Sequence, residues 1–329
     1  HIIASNKAAS DINEPSIQLG ISACLAGNKV RYNGGHTQSR LCMDLLSQCF
    51  TFITFCPEVE AGFGTPRPTM RLIGNPASPQ LAFSNDSTSD LTAQLVHGFE
   101  KKLPKMSHLD GYILMKNSPT CGLERIKVFQ PNGHPHPIRT TGVFAKALKE
   151  QYPLMPIEEE GRLHDDKLFD NFVLRVYAYS NFRKEVLKEP SLHNLIIFHS
   201  RYKYLLMAHN QEKYRALGRL LGSKISVPLT TLINSYFCDF IEALSKPASR
   251  KNHTNALFHI LGYLKGNLTS VAREHIIEII HNYNKGLTPL TTPLTLLKHH
   301  LMQHGSTYIQ HQRYLEPYPE KINPVIRYL

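Results

Sequence analysis

The 329-residue sequence contains no tryptophan, only six cysteines, and no run of about 18 apolar residues that could cross a bilayer. So few cysteines in a chain this long exclude a disulfide scaffold. The amino-terminal segment lacks the charged-then-apolar order of a secretory signal. Hydrophobic residues make up 42% of the chain, enough to bury a sizeable core and to exclude a disordered protein. We therefore expect a reduced, cytoplasmic protein without a membrane segment.

Acidic residues are scarce in the second half of the chain. Residues 166–329 carry 21 Lys and Arg against 11 Asp and Glu, whereas residues 1–165 carry 16 against 15. Nearly all of the formal net charge of +11 therefore lies in the second half. Such an imbalance attracts polyanions, and nucleic acid is the commonest of them in a cytoplasm. A basic protein without a nucleic-acid partner is the alternative.

The two halves also differ in their secondary-structure patterns. In the first half, short apolar runs predict strands at 18–23, 50–55 and 111–116, and helical spacing predicts helices at 39–48, 92–103 and 143–151. Strands that alternate with helices imply crossover connections, so we predict a Rossmann-like α/β domain with a mostly parallel sheet. The second half predicts helices only, at 167–187, 191–208, 212–221, 229–244, 255–264, 268–283 and 293–303.

These patterns divide the chain into four parts. Residues 1–16 are expected to be a flexible amino terminus, and residues 17–152 form the predicted α/β domain. Residues 153–165 contain two prolines, a glycine and an acidic triplet, which indicate a linker. Residues 166–329 form the predicted all-α, basic domain.

Three cysteines follow the three predicted strands. Cys24, Cys56 and Cys121 each lie in a Gly- or Pro-rich loop at the end of a strand or a few residues beyond it. The carboxyl ends of parallel strands meet at one crevice, so thiols 32 and 65 residues apart in the chain could meet there. There is no CxxC pair, and three cysteines buried separately at loop bases is the alternative. The other cysteines, expected to be buried apolar residues, are Cys42, Cys49 and Cys238.

Several segments resemble a known family. SACLAGNKVRYNGG (22–35), CPEVEAGFGTPRPTMRL (56–72) and KNSPTCG (116–122) resemble the signature segments of the TudS-type thiouracil desulfidases. FHSRYKYLLMAHN (198–210), ALFHILGYLKG (256–266) and TPLTLLKHHL (292–301) resemble the helical partner domain of the two-domain, YbgA-type members. Val30 and Asn33 depart from the pattern, since many single-domain members have a fourth cysteine and an aspartate there.

The resemblance implies a catalytic chemistry for the first domain. Cys24, Cys56 and Cys121 would hold a 4Fe–4S cluster with one iron that lacks a protein ligand. That open iron would polarise a C–S bond, so that C=S becomes C=O without a change of oxidation state. By the same resemblance, Glu58 is expected to activate water and Ser118 to relay or donate a proton. A helix cap at Glu58 and a turn at Ser118 are the structural alternatives.

Three arginines lie close in sequence to the same loops. Arg31, Arg67 and Arg71 are expected to hold a phosphate or a substrate carbonyl, or to offset the negative charge of a thiolate-ligated cluster. A structural salt bridge to Glu60 or Asp44 is an equal alternative.

The second domain interleaves basic residues with tyrosines between residues 201 and 224. This pattern suits phosphate contacts with optional stacking on bases, and a solvated basic helix face is the alternative. The candidate RNA-binding residues are Arg201, Lys203, Lys213, Arg215, Arg219 and Lys224. The two-domain resemblance points to 4-thiouridine in tRNA as the substrate, a base that would have to be extruded from the fold of the RNA.

We therefore predict a 4Fe–4S-dependent desulfidase that converts a thiolated uracil, 4-thiouridine in tRNA, to uridine. One alternative is an enzyme of free thiouracil bases whose helical domain serves dimerisation or stability. Another is a non-catalytic iron–sulfur sensor that binds nucleic acid. The sequence identifies no protein partner and no acceptor for the sulfur.

Overall fold

The computed structural model describes residues 16–222 and 226–322. The chain divides into two units, the first ending at His164 and the second beginning at Asp165. Residues 1–15 of the predicted flexible amino terminus lie outside the described ranges, as does Lys224. Within those ranges, no helix combines the length and the apolar composition that a membrane span requires.

The described part of the first unit contains two sheets. Their strands are β1 (Ile17–Ser22), β2 (Phe50–Phe55), β3 (Met70–Asn75), β4 (Ser78–Phe83), β5 (Gly111–Leu114), β6 (Val128–Phe129) and β7 (Ile157–Glu159). The larger sheet has the order β2-β1-β5-β7, and all of its neighbouring strands are parallel. This confirms the predicted α/β unit with a mostly parallel sheet. Because β2 lies on one side of β1 and β5 on the other, the loops after these strands diverge and leave a crevice at the carboxyl edge.

The central strands are the most apolar part of the first unit. Leu19 and Ile21 of β1 and Ile113 of β5 are all fully buried. Short apolar runs buried on both faces are typical of the inner strands of a parallel sheet. β2 is an edge strand, in which Phe50 and Phe55 are buried while Ile53 is exposed.

The sequence analysis missed the smaller sheet, whose strand order is β4-β3-β6. β3 and β4 are antiparallel and joined by a tight turn, in which Asn75 Oδ1 accepts the N–H of Ala77 at 2.9 Å. β6 pairs in parallel with β3 over two residues. Prolines at positions 76 and 79 concealed the strand pattern, although Pro79 is tolerated because β4 is an edge strand.

Most of the segment predicted as a linker, residues 153–165, belongs instead to the first unit. It contains β7, which pairs with β5. Glu158 and Glu159 of this strand are buried, and Glu159 Oε1 accepts the N–H of Leu123 at 2.7 Å. An acidic run is typical of solvent-exposed chain, so its polarity concealed a buried edge strand. The division between the units falls at the end of the predicted linker.

The helices of the first unit are short. They are α1 (Pro57–Glu60), α2 (Thr92–Glu100) and α3 (Val143–Gln151). The helix predicted at 39–48 is a turn of π-helix, Leu41–Leu45, followed by a 3-10 turn, Leu46–Gln48. The helix predicted at 92–103 ends earlier, at Glu100, and a 3-10 helix, Leu103–His108, follows it.

In the described residues the second unit is helical, as predicted. Its helices are α4 (Asp166–Phe182), α5 (Leu192–His209), α6 (Gln211–Gly222), α7 (Leu229–Ala243), α8 (Arg250–Leu261), α9 (Ser270–Asn284), α10 (Thr291–His304) and α11 (Thr307–Gln310). Asp165, Ser191 and Ser249 cap the amino ends of α4, α5 and α8 with their side-chain oxygens. The core is aromatic: Phe182 stacks on Phe237 with ring centroids 4.2 Å apart.

Candidate active site

A cavity of about 390 Å³ opens at the carboxyl edge of the larger sheet, where the strand order reverses. Loops that follow β1, β2 and β5 supply most of its wall. Its lining includes Cys24, Val30, Arg31, Tyr32, Cys56, Glu58, Arg67, Met70, Met115, Lys116, Asn117, Ser118 and Cys121. An open α/β sheet binds its ligands at this position.

The structure brings three of the six cysteines to this one cavity. Cys24 lies in a 3-10 turn directly after β1, Cys56 follows β2, and Cys121 lies in the loop after β5. All three are free thiols. Of the other cysteines, Cys42 is buried as expected and Cys49 is half-buried, whereas Cys238 is exposed on α7, so that expectation was wrong for Cys238. An exposed helical position has no sequence marker that separates it from a buried one in an apolar run.

Residues in the loops around two of the cysteines adopt left-handed backbone conformations that allow tight turns. Gly27, three residues beyond Cys24, has a φ of 95°, and its N–H bonds to the Cys24 carbonyl at 3.3 Å. In the loop before Cys121, Asn117 is left-handed with a φ of 57°, a conformation that asparagine tolerates better than most residues. These turns aim both thiols at the cavity.

Burial keeps the three thiols neutral in the metal-free chain. Burial raises the pKa of Cys24 to about 11. The neighbouring Cys56 raises this pKa further, whereas the positive charge of Arg31 lowers it. Burial likewise raises the pKa of Cys56, and it raises that of Cys121 well above its ordinary value. A thiol in such a place becomes a thiolate when a metal centre binds and supplies the compensating positive charge.

Glu58 lies in the same wall, on the short helix α1 that begins beside Cys56. Its Oε2 forms a largely buried ion pair with Arg67, whose Nε lies 3.0 Å away. Its Oε1 accepts the hydroxyl of Thr120 at 2.8 Å. The carboxylate is therefore held at both oxygens. Thr120 is fully buried and was missed by the sequence analysis, because a threonine beside a cysteine carries no signal of a partner 62 residues away.

Ser118 also lies in the cavity wall and shapes the Cys121 loop. Its Oγ accepts the N–H of Thr120 at 3.2 Å and that of Cys121 at 3.0 Å. This is the turn role named as the structural alternative. Within the described ranges its own O–H has no protein acceptor, so the proton remains available to a ligand.

The three predicted arginines have different positions. Arg31 lines the cavity, bonds to Thr37 Oγ1 at 2.7 Å, and packs on the ring of Tyr32. Arg67 is buried and directs its N–H groups at Glu58 and at two backbone carbonyls, which is a structural ion pair with a partner other than the two expected. Arg71 is not in the cavity wall and bonds instead to Ser87. Only Arg31 is placed to contact a ligand in the predicted way.

No three His, Cys, Asp or Glu side chains in the part of the chain that the structure describes are arranged around a single metal ion. A cubic iron–sulfur cluster presents several metal positions, so its thiolate ligands do not converge on one point. The position of the three cysteines in one cavity wall is compatible with the ligands of such a cluster.

The predicted RNA-binding residues of the second unit are only partly free. Arg201 forms an ion pair with Glu185 at 3.2 Å, and Lys213 with Asp239 at 2.6 Å and with Glu242 at 2.8 Å. Arg215 and Arg219 are exposed on α6 and form no ion pair within the described ranges. The other candidates are Lys203, which packs on Tyr204, and Lys224, which lies outside the described residues.

The interleaved tyrosines are largely core residues. Tyr202 and Tyr204 are buried at 1% and 2% exposure, so neither is available to stack on a base. They lie two residues apart on α5, so they face different sides of a helix that is buried on several sides around residues 202–208. The optional stacking role expected for them is therefore not available in this fold. Tyr214 on α6 is half-buried.

Comparison with known proteins identifies both units. Residues 19–160 match the family model for 2-thiouracil desulfurase, and residues 203–319 match that for a protein family of unknown function, DUF1722. The chain is 33% identical over 157 residues to the uncharacterized protein YbgA of Escherichia coli K12, covering 47% of this chain and 92% of YbgA. It is also 33% identical over 108 residues to the uncharacterized protein YbbK of Bacillus subtilis 168, covering 31% of this chain and 71% of YbbK.

A solved structure is also similar, that of the 4Fe-4S-dependent thiouracil desulfidase TudS. It is 26% identical, with a TM-score of 0.37, and the match covers 46% of this chain and 95% of TudS. The two family models match on either side of the boundary between the units. The chain belongs to the 2-thiouracil desulfurase family, in the two-domain form that carries a YbgA-type DUF1722 domain.

Proposed function

We propose that this protein removes the sulfur of 4-thiouridine in tRNA, converting the base to uridine, with a 4Fe–4S cluster held by Cys24, Cys56 and Cys121. The observation that carries the proposal is the meeting of three strand-end thiols with Glu58 in one cavity. Membership of the 2-thiouracil desulfurase family supports a thiolated uracil as the substrate.

The chemistry of the three donors fits such a cluster. Thiolates are its usual protein ligands, and a cube has four iron positions. Three cysteines line the cavity, and Val30 occupies the position of a possible fourth. When bound, the cluster supplies a soft Lewis-acid iron that draws electron density from the sulfur of a thiocarbonyl.

Glu58 is the residue placed to accept a proton. Arg67 holds Oε2, so the lone pair left on Oε1 beside the Thr120 hydroxyl takes the proton of the attacking water. The water oxygen forms the new bond to the ring carbon, and the C–S bond breaks as the carbonyl re-forms. The added hydroxyl gives up its remaining proton to the departing sulfur, which leaves as hydrosulfide, while Glu58 keeps the first proton. One water is consumed and no electron is gained or lost.

The remaining wall of the cavity suits a pyrimidine ring. Tyr32, Met70 and Met115 offer an aromatic face and two polarisable thioethers to a flat, sulfur-bearing ring. Arg31 and the Ser118 hydroxyl are placed to donate hydrogen bonds to the substrate or to the reacting water. Binding in this wall orients the ring and excludes bulk water from it.

The helical unit supports an RNA substrate through its charge. Residues 166–329 carry 21 basic residues against 11 acidic ones, an excess that a free base does not require. Arg215 and Arg219 lie four residues apart on exposed turns of α6, a spacing that places both on one face of the helix. Phosphate contacts there would hold the RNA while the thiolated base is extruded.

The proposal is tested by the 4-thiouridine content of bulk tRNA before and after incubation with anaerobically loaded protein. Iron and sulfide content are measured first, so that loading is known. We expect loss of 4-thiouridine with an equal gain of uridine, abolished by Cys121→Ala and retained by Cys238→Ala, which removes an exposed cysteine. Loaded protein that desulfurates free 2-thiouracil but not tRNA would replace the proposal with a free-base enzyme. Loaded protein inactive on both would point to a sensor.

A further inference from the structure

Tyr112, in β5, has a hydroxyl group that the fold leaves without a partner. The residue is 1% exposed, and its Oη is buried with no hydrogen bond to any described residue. An unpaired buried hydroxyl destabilises the fold, and phenylalanine would fill the same space without it. The position therefore suits an acceptor that is supplied by something the chain binds.

The packing of Tyr112 brings its ring to a second cavity, which shares a wall residue with the cysteine cavity. Tyr112 pairs with Gly20 of β1, and a Cβ at Gly20 would lie 2.2 Å from the tyrosine ring. Only glycine therefore lets the ring cross β1 towards β2. There the ring lines a second cavity, of about 230 Å³, together with Phe55, and Phe55 also lines the cavity of the three cysteines.

Aromatic side chains pack around the Tyr112 ring, and Lys102, Lys105 and His108 also line the second cavity. Phe144 packs at 5.8 Å from the Tyr112 ring and at 5.3 Å from Phe55, centroid to centroid. Besides burial, the groups that raise the pKa of Tyr112 are the thiols of Cys121, Cys56 and Cys24. All three sulfurs are therefore within electrostatic reach of the phenol oxygen. A neutral thiol is a weak acceptor, whereas a thiolate or a sulfide is a good one.

We propose that the Tyr112 hydroxyl donates a hydrogen bond to a sulfur atom of the loaded three-cysteine centre, and that Tyr112 is a positioning residue for that centre. The inference rests on the proposed function, since the acceptor exists only when the cluster is bound. A hydrogen bond to a sulfur favours the more negatively charged state of an iron–sulfur centre and so raises its reduction potential. It also opposes the loss of the cluster, because the bond is broken when the sulfur leaves.

The test compares Tyr112→Phe with Tyr152→Phe in the full-length protein. Tyr152 is a matched control in the same unit, where its hydroxyl donates to the Leu103 carbonyl at 2.6 Å. Each variant is loaded anaerobically, and iron and sulfide content, midpoint potential, and the shift of the iron–sulfur Raman bands in D₂O are measured. We expect Tyr112→Phe to load fully, to have a lower midpoint potential, and to lack a deuterium shift that the wild type and the control both show.

The metal-free proteins supply a second readout. Without the cluster the hydroxyl has no acceptor, so Tyr112→Phe is expected to melt at the same temperature as the wild type or above it, and Tyr152→Phe below it. A loaded Tyr112→Phe variant with wild-type potential and deuterium shift would overturn the inference and leave the proposed function standing. Wild-type protein that takes up no iron and sulfide would overturn both.

Discussion

The two units of this chain differ in their charge balance and in the kind of interactions that hold their interiors. The first has a nearly balanced charge and a small cavity whose polar groups are fixed by long-range contacts, such as Glu58 with Arg67 and Thr120. The second has a stacked aromatic core around Phe182 and an excess of positive charge at its surface. The proposed chemistry of the first unit thus depends on a few buried atoms, whereas the proposed attraction of a polyanion by the second depends on a sum over many exposed charges.

The largest expected effect removes a ligand from the first unit. Cys24→Ala leaves two cysteines in the cavity, and we expect iron and sulfide content and desulfidase activity to fall to background. Urea unfolding of the second unit, followed by circular dichroism, is expected to be unchanged. A Cys24→Ala protein that still binds a full cluster would break the assignment of the ligands.

The second effect removes part of the core of the second unit. Phe182 is fully buried against Phe237, so Phe182→Ala is expected to lower the free energy of unfolding of that unit by about 3–5 kcal/mol. Val271→Ala, at a position 77% exposed, is the control and is expected to change it little. If the two units are independent, iron and sulfide uptake in the Phe182 variant remains at the wild-type level.

A smaller effect concerns the orientation of Glu58. Thr120→Val keeps the shape of the side chain but removes the hydrogen bond to Oε1. Loss of one hydrogen bond to a charged group corresponds to about a tenfold fall in kcat. Cluster content is expected to be unchanged, since Thr120 is not a ligand. Steady-state kinetics on thiolated tRNA measure the effect. An unchanged kcat would show that the hydrogen bond from Thr120 to Glu58 does not contribute to catalysis.

Acidification is expected to weaken the second unit first. Burial lowers the pKa of His209 to about 4 and that of His253 to about 3, from an ordinary value of 6.5. The unfolded chain therefore binds more protons below pH 6.5, and stability that is complete above that value is lost as the pH falls towards 4. The loss between pH 7 and pH 5 is on the order of 1 kcal/mol per histidine. Urea unfolding at pH 7 and pH 5 measures it, and His253→Gln is expected to reduce the difference.

The smallest effect concerns the two exposed arginines of α6 that are proposed to bind RNA. Arg215→Ala with Arg219→Ala is expected to weaken tRNA binding several-fold and to lower the salt dependence by about two counterions. Arg201→Ala with Lys213→Ala is the matched control, because both of these residues already pair with carboxylates. Equal losses in the two double variants would mean that α6 has no special role in binding.

The sequence could predict three of the four strands of the larger sheet, and the positions of the cysteines, for a simple reason. A short apolar strand followed by a Gly- or Pro-rich loop is a local pattern, and the parallel arrangement then brings Cys24, Cys56 and Cys121 to one edge. The pairing of Glu58 with Arg67 and Thr120 depends on tertiary contacts and has no local signal. The same applies to β7, whose glutamates are buried because backbone N–H groups and Arg162 meet them.

The spacing of the three cysteines along the chain has a mechanical consequence. They lie 32 and 65 residues apart, so any group that binds all three links segments that span most of the first unit. Such a link acts on folding as a three-way cross-link does, by reducing the conformational entropy of the open chain. Oxidative loss of the group would therefore loosen the α/β unit as a whole and leave the helical unit as the more durable part of the chain.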